Sequence, residues 1–210
     1  MPRAPVDDGY YANTRADVVR LLPRPLGRVL DVGCGSGGVG PGLLAAGATE
    51  LTGVEVVARA AEEARTTYDR VVCAPIEDAL AELDGPFDTV LCLDVLEHLV
   101  APDAVVAALL DRTQHGGHLQ VSVPNARHFS LVYDLVVRGT FGYTDWGHRD
   151  RTHLRWFTRR DILRLIEAAG WRPTAVSHPP LKYSRVLDRV TRRRSTEFLV
   201  GQWYVTARRP

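Results

Sequence analysis

Apolar residues along this chain gather in short, nearly unbroken runs separated by amphipathic stretches, and the two alternate regularly from residue 28 to residue 123. Unbroken apolar runs bounded by turn residues suit a parallel sheet covered by helices on both faces. The pattern predicts strands at Arg28–Val32, Glu50–Glu55, Arg70–Cys73, Asp88–Leu93 and His118–Val123. Between them it predicts helices from about Ser36 to Ala46, from Val57 to Thr66, near Ile76–Glu82, and from about Pro102 to Thr113. The pair Gly116-Gly117 is expected to turn the chain into the fifth strand. Tyr11, Val18, Val19 and Leu22 fall near helical spacing ahead of Pro23, so a first helix is expected over Tyr10–Leu22.

Past residue 124 the alternation stops. Pro124 to about Thr158 is polar and aromatic, with a helix expected at Ser130–Val137, and an insert that long is a cap or a functional element. Ile162, Leu163, Leu165, Ile166 and Ala169 make Arg159–Gly170 an amphipathic helix closed by glycine. Arg172–Ser177 and Phe198–Arg208 read as two further strands with the basic stretch Leu181–Ser195 between them. The alternation of the second suits an antiparallel strand at or near a sheet edge.

One run carries most of the chemistry. Val29-Leu30-Asp31-Val32-Gly33-Cys34-Gly35-Ser36-Gly37 delivers an acid at the end of a strand, then three glycines at alternate positions. Glycines there let a ligand press against main-chain N–H groups. Gly33, Gly35 and Gly38 also satisfy the dinucleotide spacing G-x-G-x-x-G. A carboxylate two residues before the first glycine would repel a pyrophosphate, however, and would attract a sulfonium cofactor bearing a free amino group. S-adenosylmethionine is therefore the preferred cofactor, with NAD the alternative. Glu55, ending the second strand, lies where an acid can accept both ribose hydroxyls. Ile76 is placed to lie on an adenine face, with Glu77 or Asp78 to accept its amine; the same acids would also suit a helix N-terminus.

Further on, Asp94, Glu97 and His98 share one face if the chain turns helical after Asp94. Three roles stay open for this set: a divalent metal, metal-free proton transfer with Asp94 orienting the cofactor's methionine end, or a packing network. The insert adds His148, Asp150 and His153 beside Trp146 and Trp156. Either histidine suits a general base, His153 also suits a fourth metal ligand, and the plain alternative is a rigid cap stitched by ion pairs over packed tryptophans.

Net charge changes little, since a formal +1 over 210 residues gives no whole-chain reason to expect nucleic acid or an acidic membrane. Cys34, Cys73 and Cys92 lack metal spacing and read as reduced thiols of a cytoplasmic protein. The opening Met1-Pro-Arg-Ala-Pro lacks the apolar core of a signal peptide.

Leu30–Gly37, Glu55, Phe87-Asp88-Thr89-Val90, Asp94–Leu99, Gly116-Gly117, Ser122–Asn125 and Thr152–Thr158 together resemble a class I S-adenosylmethionine-dependent methyltransferase over about residues 10–175. The resemblance is nearest to ubiquinone-biosynthesis O-methyltransferases and to small methyltransferases of natural-product and surface-sugar pathways. It implies a Rossmann-like seven-stranded, mostly parallel sheet with an antiparallel last strand, helices on both faces and a cap insert after strand five. One domain is expected over residues 1–210: an N-terminal helix at 9–22, a cofactor-binding core at 27–124, a substrate cap at 125–158, and a C-terminal helix and hairpin at 159–208.

The cofactor residues expected are Tyr11, Asp31, Gly33, Gly35, Gly37, Glu55, Val56, Ile76, Glu77 and Asp94. Ile76 with Glu77 replaces the acid that relatives carry directly after strand three, where this chain has Pro75. The candidate bases are His153, His148 and His98. Some relatives carry a metal motif whose transfer would make Asp94, Glu97, His98 and His153 ligands.

The resulting expectation is methyl transfer to a hydroxyl of a small natural-product, sugar or quinone-type acceptor. The alternatives are N-methylation of an amino sugar or amino acid, metal-dependent RNA 2′-O-methylation, and a cofactor-binding partner subunit. No membrane or nucleic-acid partner is expected, and oligomeric state is left open, a homodimer included.

Overall fold

The computed structural model describes residues 14–180 and 196–210. Seven strands form one sheet: β1 (Gly27–Val32), β2 (Ala48–Val54), β3 (Arg70–Val72), β4 (Phe87–Leu93), β5 (Thr113–Pro124), β6 (Arg172–Ser177) and β7 (Gln202–Arg208). Their order is β3-β2-β1-β4-β5-β7-β6, and β7 runs antiparallel to both of its neighbours. The chain winds outward from β1 through β2 to β3, then crosses back to lay β4 on the other side of β1. That reversal opens a crevice at the carboxyl ends of β1 and β4, the place where open α/β sheets bind ligands.

Both faces are covered, which is why the strands read as continuous apolar runs. Val29, Leu51 and Leu91 point to one face with Val19, Leu43 and Ala64. Leu30, Val90, Cys92 and Val121 point to the other with Val105, Leu109, Ile162 and Ile166. The helices are α1 (Ala16–Val19), α2 (Gly40–Ala45), α3 (Ala58–Ala64), α4 (Ile76–Ala79), α5 (Pro102–Asp111), α6 (Phe129–Val136), α7 (Arg159–Ala168) and the short α8 (Thr196–Leu199). Trp171, 2% exposed, closes the second layer by donating its indole N–H to the Val106 carbonyl at 3.0 Å. Among the described residues no helix is long and apolar enough to cross a membrane.

Several boundaries depart from the sequence expectation. The helix expected from Ser36 begins at Gly40, because Gly37 and Gly40 donate to Cys34 and Gly37 and make turns first. Gly116-Gly117 does not turn the chain into a strand; it lies inside β5, where the register with β4 shifts. A Cβ on Gly117 would stand 2.9 Å from the carbonyl oxygens of Asp88 and Gln114, so the bulge needs glycine. The last strand starts at Gln202 and not at Phe198, since Asn125 Nδ2 donates to the carbonyls of Glu197 (2.8 Å) and Val200 (2.7 Å) and holds that stretch in a turn. Arg15 is left-handed (φ 40°), so no helix runs unbroken from Tyr10, and residues 9–13 lie outside the described residues, as does Leu181–Ser195.

At the start of α7, Thr158 and Asp161 form a reciprocal cap: Asp161 N–H donates to Thr158 Oγ1, and Thr158 N–H to Asp161 Oδ2. Thr158→Ala is expected to cost about 1 kcal/mol. Urea denaturation should show a lower midpoint with an unchanged slope.

Candidate active site

The first acid, Asp31, ends β1 between Gly53 of β2 and Leu91 of β4 and is 1% exposed. Tyr68 donates its hydroxyl to Asp31 Oδ2 at 2.5 Å. Burial pushes the Asp31 carboxyl up to about 7, against the lowering effect of the Tyr68 bond; nearby Glu55 raises it further, and Arg15 lowers it. Gly33 follows with φ 74°, and a Cβ there would meet Val95 Cγ2 at 2.6 Å. Only glycine allows the loop this conformation and this closeness. Gly33 and Cys34 both donate to the Val54 carbonyl (2.8 and 3.1 Å), which fastens the loop to the end of β2.

Glu55, 6% exposed, comes next along that edge. Its Oε2 accepts from Gly35 N–H at 3.0 Å and its Oε1 from Val57 N–H at 2.8 Å. The structure thus brings Asp31, the glycine loop and Glu55 together. Val56 is exposed beside them. Ile76 is 5% exposed and packed in the larger core, while Glu77 is exposed in the first turn of α4. The adenine contact expected of Ile76 is therefore reduced to the edge of a core side chain. Tyr11 lies outside the described residues.

Asp94 corrects the expectation of a shared helical face. It takes a left-handed conformation (φ 59°), and only Leu96–His98 form a short 3-10 turn after it. Its carboxylate accepts from Arg15, from Ser122 Oγ at 3.0 Å and from Gln202 Nε2. Arg15 is 8% exposed and also donates to Ser122 Oγ at 3.2 Å. Arg15, Ser122, Gln202 and Tyr68 were not legible as site residues, because each is distant in sequence from the acid it meets. Ser122 alone falls in a stretch that carries the family resemblance, and that stretch does not show which acid it meets.

Without Asp94, the close group is Glu97, His98 and His153, whose ligand-type atoms lie within 4.8 Å of one another. Glu97 is 1% exposed, and among the described residues neither carboxylate oxygen has a hydrogen-bond partner. Burial holds its carboxyl well above the usual range, and the charges of Asp94 and Asp150 act in the same direction. His153 is 7% exposed with Nδ1 unpartnered, and its ring meets that of His98 edge-on at 4.8 Å. Burial lowers the His153 pKa to about 4, helped by His98, so this imidazole is neutral at physiological pH. Unpartnered buried acceptors are costly unless something neutralises them. The donor set of one carboxylate and two imidazoles fits a divalent cation, and it equally fits a carboxyl that keeps its proton.

His148 is placed differently. Its Nε2 donates to the Gly201 carbonyl at 2.6 Å, and its ring stacks on His128 at 4.6 Å, so its ring proton is spent on joining the insert to the approach of β7. Ion pairs stitch the insert, with Arg138 and Arg149 both meeting the buried Asp134. Trp146 is exposed, while Trp156 meets the Phe141 ring of the insert edge-on at 5.5 Å.

An ammonium group would pair only with the ionised form of Asp31. Below about pH 7 the carboxyl must first lose its proton, so affinity for S-adenosylmethionine should fall by ~10-fold per pH unit below that point. Above it, affinity should level off until the donor's own α-amino group titrates at about 8. Calorimetry across pH 5.5–8 checks this, and Asp31→Asn should bind weakly with a flat profile.

A methyltransferase-domain family matches residues 9–176. A ubiquinone biosynthesis O-methyltransferase of Xylella fastidiosa is 36% identical over 160 residues, covering 69% of this chain and 58% of its own length. This chain thus spans less than two thirds of the first curated relatives it matches. Among solved structures, a SAM-dependent methyltransferase from Archaeoglobus fulgidus superposes with a TM-score of 0.70 at 17% identity, covering 92% of each chain. The [4+2]-cyclase SpnF superposes at 0.65 with 22% identity, over 93% of this chain and 80% of its own. Those two likenesses concern architecture, and the family match spans most of the chain: it belongs to the class I S-adenosylmethionine-dependent methyltransferases.

Proposed function

We propose that this protein transfers the methyl group of S-adenosylmethionine to a hydroxyl of a small, quinone- or phenol-type acceptor. The observation that carries the reading is the edge-on pair of His98 and His153 rings set with the buried Glu97, beside the Asp94 end of the donor site. A hydroxyl attacking carbon must lose its proton near the transition state, whereas a neutral amine already presents its lone pair. A half-buried imidazole beside the donor, able to accept a proton, therefore favours oxygen over nitrogen acceptors. The Xylella relative's name, a ubiquinone biosynthesis O-methyltransferase, agrees with that class.

In the reaction, Asp31 holds the donor's ammonium and Glu55 its ribose hydroxyls. Arg15, already turned to Asp94, offers a buried guanidinium to the donor's carboxylate. The methyl passes in line from sulfur to oxygen while the sulfonium charge is lost, so a dry, well-oriented site gives much of the acceleration. His98 accepts the acceptor's proton, and His153, kept neutral by burial, adds no opposing charge. The insert over 125–158 serves as cap and acceptor pocket.

A second reading rests on the unpartnered oxygens of Glu97. Glu97, His98 and His153 would hold a divalent cation, which when bound lowers the pKa of an acceptor hydroxyl.

A panel of catechols, phenols and primary amines with labelled donor tests the proposal. Phenolic acceptors should turn over and amines should not. His98→Ala should lower kcat by ~10²–10⁴-fold while leaving donor affinity intact. Donor binding without transfer to any hydroxyl would overturn it, as would preferential transfer to amines. Loss of turnover in EDTA, restored by Mg²⁺, Mn²⁺ or Zn²⁺, would favour the cation; unchanged turnover would remove it.

A further inference from the structure

His98 has its ring fixed by a turn of the insert that the reaction itself does not use. Its Nδ1 lies 3.3 Å from the carbonyl oxygen of Thr152 and 3.1 Å from Thr152 Oγ1. A carbonyl oxygen only accepts, so the proton between them belongs to Nδ1. The hydroxyl gives the same answer independently. Thr152 Oγ1 donates its single proton to Asp150 Oδ1 at 2.7 Å, so towards His98 it too can only accept.

Asp150 is itself held. It is 9% exposed, its Oδ1 also accepts from Thr152 N–H at 2.8 Å, and its backbone N–H donates to Gly147 at 3.1 Å. The far side of the turn is tied to the turn carrying His98, since the Glu97 carbonyl accepts from Leu154 (2.8 Å) and Arg155 (3.0 Å). The ring therefore meets a fixed double acceptor set on the insert.

We infer that Asp150 and Thr152 are positioning residues that lock His98 in the Nδ1–H tautomer and so make Nε2 its one lone-pair atom. The chain Asp150–Thr152–His98 orders protons without moving any. Asp150 fixes the hydroxyl proton, the hydroxyl and carbonyl fix the Nδ1 proton, and Nε2 is left to act as base or ligand in the group with Glu97 and His153. An outer partner that fixes the tautomer of an active imidazole commonly changes activity or metal affinity by 10–100-fold. The tautomer itself does not depend on methyl transfer; its use in taking an acceptor proton rests on the proposed reaction.

Long-range ¹H–¹⁵N spectra of histidine-labelled, metal-free protein at pH 8 read the tautomer directly. His98 should appear protonated at Nδ1 in the native chain. Thr152→Val removes the hydroxyl acceptor and leaves Asp150 Oδ1 only the backbone N–H of residue 152; the Nε2–H form should then grow, and kcat should fall about 10-fold with KM for the acceptor little changed. Thr152→Ser should restore both. The resonances of His115 and His118, remote from the insert, report in the same spectra that each variant is folded.

A native His98 protonated at Nε2 would overturn the inference whatever the variants do. So would a folded Thr152→Val protein with native tautomer and kcat, or a Thr152→Ser protein as impaired as Thr152→Val. If the native tautomer is Nδ1–H yet no hydroxyl acceptor is methylated, the proposed reaction fails and the positioning role stands.

Discussion

Four carboxylates crowd the carboxyl edge of this sheet, and the site takes its form from how each is compensated. Asp31 has the Tyr68 hydroxyl, Glu55 has two backbone N–H groups, and Asp94 has Arg15, Ser122 and Gln202. Glu97 has no hydrogen-bond partner on either oxygen among the described residues. Leaving a buried charge unmatched costs several kcal/mol, so Glu97 must keep a proton or share a cation. The first two acids can still accept further hydrogen bonds, which suits an incoming cation and a diol. The edge is therefore graded, with acids that keep room for further donors on one side of Asp94 and a proton- or cation-holding group on the other.

The cap belongs to the same logic. Glu97 is reached only because the insert folds back over it, its backbone bonded to the Glu97 carbonyl and its His153 set against His98. The ion pairs of Asp134 and the His148 contact with Gly201 hold the insert in that position. Trp146 and Val136 face outward, while Phe141 gathers Tyr143 and Trp156 into an aromatic cluster beside this polar stitching.

Local rules carried the sheet. Continuous apolar runs are legible because both faces of a parallel strand are buried, and that constraint acts residue by residue. The Asp31–glycine run and Glu55 were legible for a related reason: strand ends put them on one edge whatever the loops do. Asp94 was misplaced because a left-handed residue leaves no periodic trace, and its partners Arg15 and Gln202 stand 187 positions apart in the chain. His148 and His153 looked alike in sequence. Their difference, a ring proton used on Gly201 against an orphaned Nδ1, arises from tertiary packing alone.

The place of β7 has a bearing on how the molecule is made. β6 pairs only with β7, and β7 is wedged between β5 and β6 although it is synthesised after both. Emerging from a ribosome, β6 has no partner until the last strand slots in beside β5. That same strand brings Gln202 to Asp94, so this contact of the candidate site waits for it too. Pairing of β6 and completion of the hydrogen bonds around Asp94 thus await the same strand.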